Sequence, residues 1–263
     1  MKKRFFLFIP LSILAAGFFI YWSQRELCRC AFIDWADDFQ RTDEKIYISK
    51  DTPDALRDSI LVLIRESEAR VCKFWEMEKQ ARKPTLIYCF SERQLLQYSK
   101  QNTMITYKSP LGCFIVFGVG REKIDMISHE MMHAELLFRI GYLNNARNIP
   151  VWFDEGLAMQ ADYRNEYSEE YYQTYKDSIE QSVTLNQIKT VRTFWSGRFY
   201  WHYLLAKHEV AEWLAISGKE GLFDLIQSVQ DHEDFNAAYS RSRIKQDFVP
   251  PESKRIHSLI DIE

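Results

Sequence analysis

The residues of this chain best suited to chemistry are His129, Glu130 and His133, in the stretch Ile-Ser-His-Glu-Met-Met-His-Ala, residues 127–134. Residues four apart on a helix lie one above the other, so the two imidazoles point the same way and can share one metal ion. Glu130 would then stand beside the metal, placed to take a proton from a water on it. The spacing therefore predicts a metal-assisted hydrolytic site on a helix.

A third ligand is expected from the segment Asn-Ile-Pro-Val-Trp-Phe-Asp-Glu-Gly-Leu-Ala, residues 148–158. Catalytic zinc sites usually hold three protein ligands and keep one position for water, so two imidazoles leave the site one ligand short. Glu155 begins a predicted helix after Pro150, far enough beyond His133 for the chain to turn and come back. Asp154 is the competing ligand, and spacing alone does not separate the two carboxylates.

The pairing of His-Glu-x-x-His with Pro-x-Trp-x-x-Glu-Gly-x-Ala resembles the gluzincin metallopeptidases. These include thermolysin-like enzymes, aminopeptidase N-like enzymes and bacterial peptidase MA-like domains. The resemblance covers mainly residues 110–215. It implies one Zn²⁺ ion held by His129, His133 and Glu155, with Glu130 as the catalytic general base. The implied substrate is a peptide or protein, hydrolysed by a zinc-activated water.

One feature of the resemblance is displaced. Peptidase MA-like domains often carry a Tyr ten residues before the Leu of a Tyr-Leu-x-x-x-[Tyr/His] run, where a phenol can stabilise the tetrahedral oxyanion. Here the run is Tyr203-Leu-Leu-Ala-Lys-His208, and Phe194 occupies the matching place. Tyr200 and His202 are the candidate substitutes, and the alternative is that both are plain core or surface residues.

Two further expectations concern the surroundings of the metal. The strand Gly112 to Phe117 directly precedes the metal helix, and the resemblance implies that substrate backbone lies along its edge. Asp162 follows Glu155 by seven residues, on the same face of one predicted helix. It is expected either to accept the outer N–H of a zinc-bound imidazole or to be a solvated helix charge.

The elements that must position these residues predict an α+β, zincin-like domain. A small N-terminal sheet with helices comes first, then a central His-Glu-x-x-His helix apolar on nearly every side, then a helical C-terminal half. The predicted strands are 45–49, 84–90 and 112–117. The predicted helices are 54–75, one beginning at Ser91, 122–142, 155–164, 166–181, 198–217, 219–230 and 232–239.

The N-terminus predicts a membrane anchor. Three basic residues, 2–4, precede an apolar run over residues 5–22, whose helical length of about 27 Å approaches that of a bilayer core. No clear cleavage site follows, which favours an uncleaved anchor over a removed signal peptide. The charge bias predicts a single-pass protein with its N-terminus inside and its catalytic domain periplasmic or extracellular.

The predicted organisation has three parts. Residues 1–30 are a cytoplasmic stub, transmembrane anchor and juxtamembrane segment, 31–245 the gluzincin-like metallopeptidase domain, and 246–263 a tail. A formal net charge of −3 and the lack of a Lys/Arg stripe argue against a nucleic-acid partner. Of the five cysteines, Cys72, Cys89 and Cys113 lie in apolar patterns and are expected to be small buried hydrophobes.

Three other interpretations fit the same residues. The metal shell can serve a zinc hydrolase that cuts a bond other than a peptide, or a metal-bound but catalytically inactive binding module. Both motifs can also be accidental in a structural membrane protein. The leading interpretation is a membrane-anchored zinc metallopeptidase of gluzincin type.

Overall fold

The computed structural model describes residues 23–244. The predicted transmembrane anchor over residues 5–22 and the predicted tail over 246–263 lie outside the described residues. Within residues 23–244, no helix combines the length and the apolar character needed to cross a bilayer.

The first half of the described chain builds a sheet flanked by helices. Its elements are, in chain order, α1 (Arg25–Ala31), β1 (Phe39–Asp43), β2 (Ile46–Ser49), α2 (Asp54–Phe74), β3 (Thr85–Cys89), α3 (Glu92–Tyr98), β4 (Ile105–Ser109) and β5 (Gly112–Gly118). The five strands form one mixed sheet in the order β1-β2-β3-β5-β4. The β2–β3 and β3–β5 pairs are parallel, whereas the two outer pairs are antiparallel.

The second half is helical. It comprises α4 (Ile124–Ile140), α5 (Tyr142–Asn148), α6 (Val151–Ala158), α7 (Glu169–Ser182), α8 (Val191–Phe194), α9 (Phe199–Gln230) and α10 (Phe235–Ile244). Gly218 interrupts α9 with a φ of 63°, so this element is two helices joined at a bend, as the separate predictions for 198–217 and 219–230 indicate. Strands come early and helices late, which confirms the α+β class.

The inner strands are apolar on both faces because both faces of the sheet are covered. Successive side chains of a strand point to opposite faces. On β3, Leu86 and Tyr88 join the main core with the helices, while Ile87 and Cys89 join a smaller core under α1 and α3. This double burial gives the continuous apolar runs that made β2, β3 and β5 recognisable in the sequence.

The sequence analysis did not predict two of the strands, β1 and β4. One of them, β4, takes the outer position that was expected for the 112–117 strand. Both β1 and β4 lie at the ends of the strand order and mix polar with apolar residues. The prediction that the 112–117 strand offers a free edge to substrate is wrong, because β5 is paired on both sides, with β3 and with β4. The outer strand beside the metal helix is β4.

The helix α4, which carries His129 and His133, lies at the centre of the molecule, as predicted. It packs against α2, α6 and β4, and residues on nearly all sides of it are buried. Gly141 ends the helix with a φ of 85°, a conformation that glycine adopts readily. Its amide donates to the Leu137 carbonyl at 2.8 Å, which closes the last turn.

The helix that carries Glu155 is shorter than predicted. It begins at Val151, directly after Pro150, and α-helical geometry ends at Ala158, followed by a 3₁₀ turn over Met159–Ala161. Asp162 is extended, with φ −103° and ψ 108°, and its side chain accepts the backbone N–H of Arg164 at 3.1 Å. This local hydrogen bond competes with continuation of the helix. The expectation that Asp162 shares a helix face with Glu155 is therefore wrong.

Candidate metal centre

The two histidines of α4 face each other at their outer nitrogens. The Nε2 atoms of His129 and His133 lie 3.2 Å apart, and the rings are nearly perpendicular, at 84°. Both side chains are buried, with 7% and 6% of their surface exposed. The four-residue spacing on one helix thus brings the two donor atoms together, as the sequence predicts.

Glu155 of α6 completes a triangle with these two nitrogens. Its Oε2 lies 3.3 Å from Nε2 of His129 and 3.4 Å from Nε2 of His133. The two helices pack directly against each other, and Glu155 is 8% exposed. Within residues 23–244 these three side chains form a buried group that could hold a metal ion.

The triangle has the dimensions of a metal site. Ligands about 2.1 Å from a tetrahedral ion lie about 3.3–3.4 Å from one another, which matches the three separations. Among the described residues, the buried Oε2 of Glu155 has no hydrogen-bond partner. A buried carboxylate oxygen without a hydrogen bond is costly unless a positive charge, either a metal ion or a protonated His133, compensates it. The donor set, the spacing and the unpartnered oxygen all fit a divalent cation.

Asp154 has a different place from Glu155. Its Oδ1 lies 2.8 Å from Nδ1 of His133, on the side of the ring away from the triangle. Its Oδ2 accepts a hydrogen bond from the ammonium of Lys108, which reaches over from β4. Asp154 therefore contacts the far side of His133 instead of joining the triangle, so Glu155 and not Asp154 is the carboxylate of the candidate metal group.

The charges around His133 strongly shift its pKa. Burial lowers the pKa of the ring, but the charge of Asp154, and then that of Glu155, outweigh burial and raise it to about 10. Burial raises the pKa of Asp154, and Lys108 followed by His133 overcome this and hold it far below its usual range. For Glu155, His133 and His129 overcome the effect of burial and lower the pKa to about 2. Both carboxylates are thus ionised at neutral pH.

Asp162 lies behind His129 without contacting it. The distance from its Oδ2 to Nδ1 of His129 is 4.0 Å, too long for a hydrogen bond. The carboxylate is fully buried and holds the guanidinium of Arg164 through both oxygens. Among the described residues, Nδ1 of His129 has no hydrogen-bond partner. Neither expected role of Asp162 holds, because it is neither solvated nor hydrogen-bonded to the ligand.

Glu130 contacts the outer strand β4 and is not part of the ligand triangle. Its Oε2 accepts a hydrogen bond of 2.5 Å from the hydroxyl of Thr106, on β4. The residue is half-buried, so water can reach the carboxylate. Thr106 and Lys108 are two residues apart on one strand and so extend from the same face of it. One face of β4 therefore contacts both the predicted base and the carboxylate behind His133.

Tyr203 is a phenol beside the candidate ligands that the sequence analysis quoted but did not select. Its ring centroid lies 6.2 Å from that of His129. Burial, and then the charges of Glu155 and Glu130, raise the pKa of this phenol well above its usual value. Tyr203 therefore keeps its proton at any ordinary pH and can act as a hydrogen-bond donor.

The two residues named as substitutes for the displaced tyrosine are engaged elsewhere. The hydroxyl of Tyr200 donates to the carbonyl of Glu166, and Nδ1 of His202 lies 2.6 Å from the carbonyl oxygen of Phe194. Phe194 itself is fully buried and packs edge-on against Tyr203, with centroids 5.0 Å apart. The sequence did contain a signal for Tyr203, because this residue begins the Tyr-Leu-x-x-x-[Tyr/His] run from which the position of Phe194 was counted.

Two comparisons with known proteins found no match. No protein-family model matches the sequence, and no curated protein matches it. The gluzincin resemblance therefore rests on the two motifs and on the arrangement of the residues they contain.

Proposed function

We propose that this protein is a membrane-anchored, zinc-dependent metallopeptidase of gluzincin type. The observation that carries the proposal is the triangle of two imidazole nitrogens and one carboxylate oxygen, with sides of 3.2, 3.3 and 3.4 Å. Two imidazoles and one carboxylate, with a fourth position left for water, are the donor set of catalytic zinc in metallopeptidases. His129, His133 and Glu155 would hold the ion.

The bound ion would supply Lewis acidity, lowering the pKa of water and polarising the scissile carbonyl. Glu130 accepts a proton from the attacking water and returns it to the leaving amine. The hydroxyl of Thr106 keeps the carboxylate of Glu130 in place through its 2.5 Å hydrogen bond. Asp154 fixes the orientation of His133, and Tyr203 offers a neutral hydroxyl to the oxyanion of the tetrahedral intermediate.

The position of β4 favours a peptide over a compact substrate. This strand is the last in the strand order of the sheet, so among the described strands its outer backbone groups have no neighbour. An extended peptide can pair with such an edge through main-chain hydrogen bonds. The same strand contacts Glu130 through Thr106, which places a bound peptide backbone beside the base. A hydrolase for small non-peptide molecules has no use for this edge.

The membrane attachment in this proposal rests on the apolar stretch over residues 5–22. Three basic residues before the stretch favour an inside N-terminus, which sends the catalytic domain to the periplasm or the cell exterior.

The test uses the full chain purified in detergent. The metal-stripped protein is titrated with Zn²⁺, and the loaded protein is then given a library of unstructured peptides. We expect one ion per chain and cleavage of the library, with ion binding lost in His129→Ala and cleavage alone lost in Glu130→Gln. Binding of the ion without cleavage of any peptide would favour the inactive binding module.

A further inference from the structure

An aromatic patch extends from the candidate metal centre to the surface. We define it as Trp195 and Phe199, which are 50% and 46% exposed, together with the buried Phe194 and Tyr203 beneath them. The rings of Trp195 and Phe199 lie 6.2 Å apart, and Trp195 packs edge-on against Tyr203 at 5.5 Å. Large aromatic rings left half in water form a surface suited to another apolar group.

The patch is held firmly from below. Phe194 packs against Trp195 at 5.8 Å and against Tyr203 at 5.0 Å. The carbonyl of Phe194 lies 2.6 Å from Nδ1 of His202, which fastens the end of α8 to α9. A reciprocal pair of hydrogen bonds between Thr190 and Thr193 starts the same short helix. The exposed rings are therefore supported by tightly packed residues, and a ligand that binds to them requires little ordering of the protein.

The patch lies close to the ligand triangle through Tyr203. The ring of Tyr203 lies 6.2 Å from that of His129. The two ring contacts in series place Trp195 within about 12 Å of His129, a distance that an extended chain spans in about four residues. A group seated on Trp195 can thus belong to the same peptide whose backbone reaches the metal.

We propose that the aromatic patch is a substrate subsite that accepts a large apolar or aromatic side chain, up to about four residues from the scissile bond. This inference rests on the proposed peptidase function and names its substrate class, namely peptides with a bulky apolar residue at one fixed position. Hydrophobic contact with rings of this size is worth about tenfold or more in kcat/KM.

The experiment uses internally quenched alanine peptides of equal length, each with a single Phe at a different position from the cleaved bond. Wild type is expected to prefer Phe at one position by about tenfold or more in kcat/KM over the all-Ala peptide. Trp195→Ala is expected to abolish that preference, mainly through KM, while still binding one zinc ion. Trp195→Phe retains a ring and is expected to restore part of it.

Trp35→Ala is the matched control. Trp35 is 79% exposed and lies on a 3₁₀ turn that borders the small core on the opposite face of the sheet. This variant is expected to keep the Phe preference. An unaltered preference in Trp195→Ala, or no preference in wild type, would overturn the subsite.

A binding measurement separates the subsite from the proposed reaction. Zinc-loaded Glu130→Gln is titrated with the Phe peptide and the all-Ala peptide by calorimetry, with and without Trp195→Ala. If wild type cleaves no peptide but Trp195→Ala removes tighter binding of the Phe peptide, the reaction fails and the subsite stands. If Trp195 instead governs partition onto vesicles of anionic phospholipid, with no effect on peptides, the rings face a membrane and the subsite is overturned.

Discussion

Asp154 lies behind His133, with its Oδ1 2.8 Å from the ring Nδ1, while Nε2 of the same ring faces Glu155. Two neighbouring carboxylates on α6 thus contact opposite ends of one imidazole. Lys108 of β4 in turn holds Asp154. The chain Lys108–Asp154–His133 connects the outer strand of the sheet with the candidate metal ligands, and each link can be tested.

Asp154→Asn is expected to weaken the zinc affinity of the neutral His133 ring, corrected for proton competition, about 10–100-fold, because groups that orient a ligand contribute on that scale. The amide keeps the shape of the carboxylate but loses the charge that orients and polarises His133. Lys108→Met, which removes the partner of Asp154, should have a smaller effect in the same direction. Competition with a chromogenic chelator measures both. Asp177→Asn, an exposed carboxylate on α7, is the control, and equal affinity in all three variants would contradict the role given to Asp154.

Zinc binding is expected to release about one proton per chain at neutral pH. The pKa of His133 is raised to about 10, so without metal the ring is protonated at pH 7 and must become neutral to bind the ion. Affinity should therefore rise with pH by up to tenfold per unit until about pH 10. A weakly buffered indicator dye measures the released proton. Asp154→Asn removes the charge that contributes most to raising this pKa, so the variant should release fewer protons when zinc binds. Equal proton release in wild type and Asp154→Asn would contradict this assignment.

Glu130→Gln is expected to keep zinc affinity close to that of wild type while lowering kcat about 10²–10⁴-fold, the usual contribution of a general base. Glu130 lies outside the ligand triangle and is bonded to Thr106 instead. Thr106→Val should lower kcat less, since it removes only the hydrogen bond that holds the carboxylate, and Thr106→Ser should restore it. Glu170→Gln, at an exposed position on α7, is the control. Retained turnover in Glu130→Gln would exclude Glu130 as the base.

Gly156→Ala is expected to lower the free energy of unfolding by about 1–3 kcal/mol, the usual cost of overpacking. A Cβ at this position would lie 2.3 Å from the carbonyl oxygen of Ala206 and 2.7 Å from Cγ2 of Val210. The clash pushes α6 away from α9, so zinc affinity should fall as well, since Glu155 is the preceding residue. Urea denaturation and zinc titration measure the two effects. Ala215→Ser, on an exposed face of α9, should change neither.

Two of the five thiols are expected to react with a colorimetric disulfide reagent in the native protein at pH 8. Cys28 and Cys72 are half-buried, whereas Cys30, Cys89 and Cys113 are buried. Cys72 should be the slower of the two, because burial, and then the charges of Glu135 and Glu68, raise its pKa. Burial raises the pKa of Cys30 and Cys113 to about 12, and that of Cys89 further. Little thiolate therefore forms at these three sites below about pH 10. All five should react once the chain is unfolded, and a lower total would reveal a disulfide.

The sequence predicted much of this arrangement wherever local spacing carries the information. The positions of His129 and His133 follow from the geometry of one helix, and β2, β3 and β5 follow from their uninterrupted apolar runs, which are short in β2. Cys89 and Cys113 are buried as predicted, whereas Cys72 is only half-buried. The edge strands β1 and β4 lack such runs because only part of their surface is covered.

The remaining features depend on contacts between distant segments. The hydrogen bond from Thr106 to Glu130 and that from Lys108 to Asp154 join β4 to two different helices. The hydrophobic periodicity of a single helix or strand carries no information about contacts between distant segments. Tyr203 was not selected for a related reason. The pattern implied by the resemblance points to Phe194, and only the packing of the helices places the ring of Tyr203 6.2 Å from that of His129.

The adjacency of Asp154 and Glu155 gives the centre an all-or-none character. Consecutive residues on a helix point about 100° apart, so one rotational setting of α6 serves both carboxylates. Turning the helix about its axis would pull Glu155 off both nitrogens and free the back of His133 in the same movement. A displacement of α6 should therefore remove both carboxylates from the two histidines together and not one at a time.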